Sequence, residues 1–260
     1  MPRPLGQHFL RDPAILDRIV DALDPRPDDA VLEIGPGEGT LTRRLAPRVG
    51  WVVAIEKDRR LVAALHPPLP GNVTLLEGDA LDLDWHRGAQ PTAHSSLKVI
   101  GNIPYQITSP LIEKALEPPL PAVIVFLVQK EVAERVTAAP GGKAYGALSV
   151  GVQSVARTER LFTVKAGAFS PPPKVDSAVL RLTPLAEPLV TEVERRAFRA
   201  FVVGLFGQRR KQLGRSLRDV ASLDRDAAAR TIEDAGMDAG ARVETVAPAD
   251  LVRLFRTIPR

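Results

Sequence analysis

The sequence predicts an α/β fold: a parallel sheet covered by helices on both faces, with a small all-helical domain after it. Three observations carry that expectation. Short apolar runs alternate with helical patterns between Ala30 and Thr137, the order that builds a doubly wound sheet with its site at the carboxyl ends of the strands. The alternation ends near Thr183-Pro184, beyond which no convincing strand remains. The chain has 260 residues, 45% hydrophobic and 25% charged, a composition that suits one large globular domain or one plus a small one.

The elements follow in order. Asp12-Pro13 reads as an N-cap with proline in the first turn, and Ile15, Leu16, Ile19, Val20 and Leu23 share one helical face. Asp24-Pro25-Arg26-Pro27 stops that helix. Strands are expected at Ala30–Ile34, Trp51–Ile55, Val73–Leu76, Leu97–Ile100 and Val123–Val128. Helices are expected at Leu41–Ala46, Arg59–Leu65, Pro110–Leu116 and Lys130–Thr137. Leu148–Val155 and Ala178–Leu182 are two further strands, expected to close one sheet edge as an antiparallel pair. Trp85–Ser95 and Ala138–Lys143 read as loops. Four helices are expected after Pro184, at Glu192–Phe206, Gln208–Leu217, Arg225–Ala235 and Pro248–Thr257. The domains are therefore placed at 1–182 and 183–260.

Composition excludes several chemistries. Without cysteine there are no disulfides, thiolate metal sites or cysteine nucleophile. His8, His66, His86 and His94 share no close metal-ligand spacing, so a zinc enzyme is disfavoured. No apolar run reaches the ~20 residues of a membrane span, and no signal pattern opens the chain, so a cytoplasmic protein is expected. With no large exposed apolar stripe, a monomer is expected. The net charge is +4, of which +3 falls after residue 182. Arg195 to Arg218 carries eight basic residues and no acidic one. Arg209, Arg210, Lys211 and Arg215 are the candidate phosphate contacts, weighed against an ordinary solvated helix face.

Ala30–Thr40 reads A-V-L-E-I-G-P-G-E-G-T, an apolar strand running into a glycine turn and a helix. The spacing is G-x-G-x-G, not the G-x-G-x-x-G of dinucleotide sites, which disfavours a nicotinamide-dependent oxidoreductase. Acidic residues end the first three strands: Glu33, Glu56 and Asp79. Glu56 is placed to accept from both ribose hydroxyls, and Asp79 from an adenine amino group. The set suits an adenosine ligand without a pyrophosphate, S-adenosylmethionine. Farther on, Asn102-Ile103-Pro104-Tyr105 follows a buried strand. An exocyclic adenine amine is a poor nucleophile because its lone pair is delocalised into the ring. The Asn102 side-chain oxygen and the Ile103 carbonyl can accept its hydrogen bonds, Pro104 stiffens the turn, and Tyr105 can stack on an extruded base.

Taken together these stretches resemble the ribosomal RNA adenine N6-dimethyltransferases, specifically the small-subunit (16S) rRNA branch. The matches are Gly6–Leu10 (G-Q-H-F-L), Glu33–Gly39 (E-I-G-P-G-E-G), Ile55–Asp58 (I-E-K-D), Gly78–Leu81 (G-D-A-L) and Gly101–Tyr105 (G-N-I-P-Y). They continue through Val128–Arg135, Lys143–Gly146 and Phe169–Ser177 (F-S-P-P-P-K-V-D-S). The resemblance implies a Rossmann-like S-adenosylmethionine-dependent methyltransferase domain and a helical RNA-binding domain. It implies a cofactor set of Gln7, His8, Leu10, Gly35, Gly37, Glu56, Lys57, Asp79, Ala80 and Asn102, with S-adenosylhomocysteine as product. Asn102, Ile103, Pro104 and Tyr105 fall at the target-amine positions, and Phe169 at an aromatic that packs on the flipped base. The implied reaction dimethylates two adjacent adenosines in the 3′-terminal hairpin loop of small-subunit rRNA, within an assembling subunit. His8 stands where many relatives carry asparagine, and Glu38 where leucine is frequent. Two alternatives stand beside this reading: the macrolide-resistance methyltransferases of large-subunit rRNA, and an assembly checkpoint that docks RNA without needing catalysis.

Overall fold

A computed structural model describes residues 7–65, 69–85 and 97–259. His66, His86, His94 and nearly all of the expected Trp85–Ser95 loop lie outside the described residues. In chain order the elements are β1 (Phe9–Leu10), α1 (Pro13–Ala22), β2 (Ala30–Ile34), α2 (Thr42–Leu45), β3 (Trp51–Glu56), α3 (Arg59–Leu65), β4 (Val73–Glu77), β5 (Leu97–Asn102), α4 (Thr108–Ala115) and β6 (Val123–Gln129). Then come α5 (Lys130–Val136), α6 (Ala147–Gln153), β7 (Ala156–Val164), β8 (Phe169–Ser170), β9 (Ser177–Pro184), α7 (Glu192–Gly207), α8 (Leu213–Ala221), α9 (Arg225–Asp234) and α10 (Pro248–Thr257).

By backbone contacts the chain forms two compact units. One runs to Ala133 and adds Thr158–Pro184; the other joins Glu134–Arg157 to Leu185–Arg260. The second unit thus begins its late portion two residues after the expected boundary and also takes in 134–157, which the sequence places in the first domain. Pro184 sits at the end of a strand, where the periodicity change is visible. The membership of 134–157 depends on contacts distant in sequence. Within the second unit, for example, the Tyr145 hydroxyl donates to the Val246 carbonyl at 2.8 Å.

In the first unit seven strands order as β4-β3-β2-β5-β6-β9-β7. The pairs from β4 through β6 are parallel, and β9 runs antiparallel to β6. Growth of the sheet reverses between β2 and β5, which lie side by side with Ile34 opposite Gly101. A crevice opens at the carboxyl ends of strands where such a reversal occurs. α1 is capped as expected: the Asp12 carboxylate accepts from the Ala14 and Ile15 amides at 2.9 and 3.2 Å. Its buried face (Leu16, Ile19, Val20) joins Val31, Val52, Ile100 and Val125 in one core.

One sheet edge differs from expectation. Leu148–Val155 is not a strand; α6 occupies Ala147–Gln153. A short valine-rich run does not distinguish a strand from a buried helix, and here side chains decide. Ser149 Oγ accepts from the Gly146 amide at 3.0 Å, and Gln153 Nε2 donates to the Val136 and Ala138 carbonyls. The strand beside β9 is instead β7, whose polar Arg157, Thr158, Glu159, Arg160 and Thr163 concealed it. An edge strand with an exposed face tolerates that composition.

The second unit is built on α6–α10. Phe198 and Phe201 of α7 flank Phe255 of α10, with ring centroids 5.5 and 5.6 Å apart. Thr191 caps α7 reciprocally with Glu194. The Glu194 carboxyl also takes two hydrogen bonds from Arg256 and is held down to about 2, chiefly by that guanidinium and by the Thr191 amide. Among the described residues no helix is long and apolar enough to cross a membrane, and no cluster of acidic and histidine side chains is placed to hold a metal ion.

At the amino ends of the central strands, Lys98 of β5 pairs with Asp29, just ahead of β2, at 2.7 Å. Their side chains are only 7% and 5% exposed. Lys98 also donates to the Asp24 carbonyl, and Asp29 accepts from the Arg26 amide at 2.7 Å. Removing one partner of a buried pair strands the other charge. Lys98→Ala is therefore expected to cost about 3–5 kcal/mol, read as a lower urea midpoint; a loss below 1 kcal/mol would show the pair to be dispensable.

Candidate active site

The cleft at the reversal point holds about 840 Å³ of empty space, the solvent at its open mouth included. Its first wall is the turn after β2. Gly37 has φ +60°, so a side chain there would be strained, and its Cβ would lie 3.0 Å from the Phe9 ring, which would have to give way. The Gly37 amide donates to Glu56 Oε2 at 3.1 Å, while Glu56 Oε1 accepts from the Asp58 amide at 2.9 Å. Glu56, at the end of β3, is thus fixed against the glycine turn and lines the cleft.

The second wall comes from β5. Gly101 lets β5 press on β2: a Cβ would stand 2.7 Å from the Ile34 carbonyl oxygen. Asn102 ends the strand, and its side-chain amide donates to the His8 carbonyl at 2.9 Å. That bond fixes the amide orientation and leaves the side-chain oxygen as the remaining acceptor. The Ile103 amide donates to the Leu127 carbonyl at 3.0 Å, which holds the turn before Pro104. Tyr105 shares a 2.7 Å hydrogen bond with Ser177 Oγ, and burial raises its phenol above the ordinary tyrosine value.

A strap from the N-terminal segment crosses these walls. β1 pairs with β8, Phe9 opposite Ser170 and Leu10 opposite Phe169. His8 Nδ1 lies 2.8 Å from the Pro171 carbonyl; since a carbonyl only accepts, Nδ1 carries the hydrogen. The His8 ring is 5.8 Å from that of Tyr105. Arg11 binds Glu38 of the glycine turn at 2.6 and 3.0 Å, and Gln7 hydrogen-bonds Asp58.

Of the expected site residues, Gln7, His8, Leu10, Gly35, Gly37, Glu56, Asn102, Ile103, Pro104 and Tyr105 line this one cleft. Four do not. Lys57 and Asp79 pair with each other at 2.6 Å, an interaction that lowers the Asp79 carboxyl first of all through the Lys57 hydrogen bond. Ala80 is buried, its carbonyl taken by the Trp85 indole at 2.7 Å. Phe169, 5% exposed, packs into the hydrophobic core rather than the cleft, because its pairing opposite Leu10 turns it inward. Glu33, one of the three strand-end carboxylates expected there, also lines the cleft, as do Phe9, Leu16, Ile19 and Leu41, which were not in the expected set. Leu16 and Ile19 carried only the signal of a helix core face.

The lining holds two carboxylates, Glu33 and Glu56, and no lysine or arginine among the described residues. Such a wall repels a pyrophosphate and suits a cation. Glu33 Oε2 is buried without a hydrogen-bond partner. Burial pushes the Glu33 carboxyl up to about 7; the neighbouring Thr42 hydroxyl offsets part of the rise and the Glu56 charge adds to it. The donor set therefore fits S-adenosylmethionine, which is cationic and carries no phosphate.

Comparison with known proteins agrees. The family model described as ribosomal RNA adenine dimethylase matches residues 2–259. The chain belongs to the ribosomal RNA adenine dimethylase family. Family relatives include the ribosomal RNA small subunit methyltransferase A of Xanthomonas campestris, 41% identical over 255 residues, covering 97% of this chain and 94% of that one. The protein of the same description from Synechococcus elongatus is 46% identical over 234 residues, covering 86% and 84%. Among solved structures, a dimethyladenosine transferase from Plasmodium falciparum superposes with a TM-score of 0.82 at 28% identity, covering 95% and 96%. The 23S rRNA methyltransferase ErmE superposes at 0.74 and 32%, covering 96% and 99%. The proteins similar to this chain thus include methyltransferases named for small-subunit rRNA and one named for 23S rRNA.

In this dimethylase the expected RNA-contacting side chains divide in two. Arg209 reaches the Lys143 carbonyl at 3.3 Å, and Lys211 pairs with Asp219 at 2.9 Å. Arg210 and Arg215 are exposed.

Glu33 makes a pH-dependent contribution with a defined sign. Its folded value, about 7, lies above the ordinary 4.5. The native state therefore holds the extra proton between those values, and stability falls as pH rises through them. In ligand-free protein Glu33→Gln should gain on the order of 2–3 kcal/mol on wild type between pH 4.5 and pH 8. Urea unfolding at both values tests this; a pH-independent difference would contradict the burial cost.

Proposed function

We propose that this protein transfers methyl groups from S-adenosylmethionine to N6 of two adjacent adenosines in the 3′-terminal hairpin loop of small-subunit rRNA, within an assembling subunit. The observation that carries the reading is the Asn102–His8 hydrogen bond. It ties the Asn102 amide nitrogen to the strap and leaves Oδ1 as an acceptor on a residue that lines the cleft. The 41–46% identity to small-subunit enzymes supports the choice of subunit.

S-adenosylmethionine, when bound, supplies a methyl group on a cationic sulfur. The residues of the chain do the positioning. Asn102 Oδ1 and the Ile103 carbonyl accept the two N6 hydrogens, which draws the nitrogen lone pair out of conjugation with the ring. Tyr105 offers its face to the extruded base, its hydroxyl anchored on Ser177. Glu56 holds the ribose hydroxyls while keeping the glycine turn in place, and the Gln7–Leu10 strap excludes water. Asp79 retains acceptor capacity for an adenine amino group beside its pair with Lys57. No strong base is required, since catalysis rests on orientation and charge placement. The helical region carrying Arg210 and Arg215 binds rRNA phosphates, and the protein works as a cytoplasmic monomer.

The test is a transfer assay with labelled cofactor on undermethylated small subunits, large subunits and free RNA, with mass spectrometry of the digested RNA. Dimethyladenosine only in small-subunit RNA is the expected result; product only in large-subunit RNA would move the protein to the other branch. Asn102→Ala should lower transfer by about 10²–10³-fold, the size of losing one preorganised hydrogen-bonding group, while subunit binding persists.

Replacing Arg210 and Arg215 with alanine should weaken RNA binding and reduce the log–log salt slope by about 1–2. An unchanged slope would return both to the solvated surface.

A further inference from the structure

Glu33, next to last in β2, has 1% of its surface exposed, yet it lines the cleft. Its Oε2 has no hydrogen-bond partner, and no cation pairs with it among the described residues. The cationic side chains of α2, packed nearby, are committed elsewhere: Arg43 donates to the Glu38 carbonyl at 2.7 Å, and Arg44 pairs with Asp17 at 2.9 Å. A buried ionised carboxylate in that setting would face the Glu56 charge with the Thr42 hydroxyl as a partial offset and no counter-cation among the described residues. Loss of charge is the cheaper state.

We propose that the Glu33 carboxyl holds a proton in the empty cleft and releases it to solvent when a cationic ligand enters, so that cofactor binding is coupled to proton release. The inference rests on the S-adenosylmethionine reading above. The balance is simple: the O–H bond of Glu33 breaks, its proton passes to water or buffer, and the carboxylate left behind is neutralised by the ligand's positive charge. S-adenosylmethionine brings two such charges, an α-ammonium and a sulfonium.

With the unliganded group near 7, linkage gives a direction. Affinity rises with pH while the free site must first lose a proton, and levels off above that value. Between pH 5.5 and 7 the gain should be about fifteenfold, a window in which most of the ligand's own ammonium stays charged. The other titratable groups lining the cleft are Glu56, His8 and Tyr105. Glu56 accepts two backbone amides and Tyr105 is raised away from the window. His8, whose second ring nitrogen has no hydrogen bond among the described residues, is the control residue.

The experiment is calorimetric titration of the full chain with S-adenosylmethionine at pH 6.5, in phosphate and in imidazole, whose ionisation enthalpies differ. The expected result is release of roughly three-quarters of a proton per ligand. His8→Asn, titrated to saturation, should release the same number of protons per ligand bound, whatever its change in affinity. Glu33→Gln should bind with no proton exchange and a flat pH profile. Methylthioadenosine, which lacks both cations, should bind wild type without proton release. S-adenosylhomocysteine separates the sources: full release assigns the effect to the ammonium, and a much smaller one to the sulfonium. Buffer-independent enthalpy in wild type, or release abolished by His8→Asn, would overturn the proposal while leaving the cofactor reading intact. Absence of S-adenosylmethionine binding at every pH would overturn both. The wild-type and His8→Asn titrations decide the matter even if Glu33→Gln fails to fold.

Discussion

The contact between Gly101 and the Ile34 carbonyl is the seam from which the cleft hangs. β2 and β5 belong to opposite directions of sheet growth, and only a residue without Cβ lets them meet so closely. From that seam the two chains leave the sheet in different ways. β2 turns away through Gly35 and Gly37, and β5 through Asn102 and Pro104. The space between them becomes the site, and Glu56 reaches in from β3 to fasten the first exit. Catalytic geometry is therefore a consequence of strand order and of two backbone approaches, before any reactive side chain is considered.

Charge works by omission. The cleft has carboxylates without counter-cations, although the chain as a whole is basic. A site of that sign disfavours phosphorylated cofactors without contacting them, and its buried carboxyl ionises most readily beside a positive ligand. Elsewhere the same chain pairs its carboxylates closely, as at Glu194–Arg256 and Lys57–Asp79. The unpaired state of Glu33 therefore does not reflect a shortage of arginine.

Much of this was legible in the sequence because it was local. The parallel strands, the Asp12 cap and the G-x-G-x-G turn are written within a few residues each, and the walls at Glu56 and Asn102–Tyr105 follow from strand ends. What escaped needed partners remote in sequence. α6 owes its identity to carbonyls at Arg135–Ala138, and β7 to its place at an edge. Phe169 faces the core because β8 pairs with the N-terminal strap, a contact spanning some 160 residues that no periodicity announces. Glu33 was visible as a strand-end carboxylate, but its isolation was not, since absence of a partner leaves no pattern.

The buried Lys98–Asp29 pair sits at the far ends of the same two strands that meet at Gly101. A parallel pair of apolar strands has little in its hydrogen bonding to prevent sliding, because every step along the ladder looks alike. A charge locked at one end makes one register unlike the rest. A slip of one residue would carry Asn102 about 3.3 Å along the sheet and turn it to the opposite face. The ion pair is in this sense a vernier stop: buried a strand's length from the chemistry, it sets the alignment to which the acceptor oxygen is held.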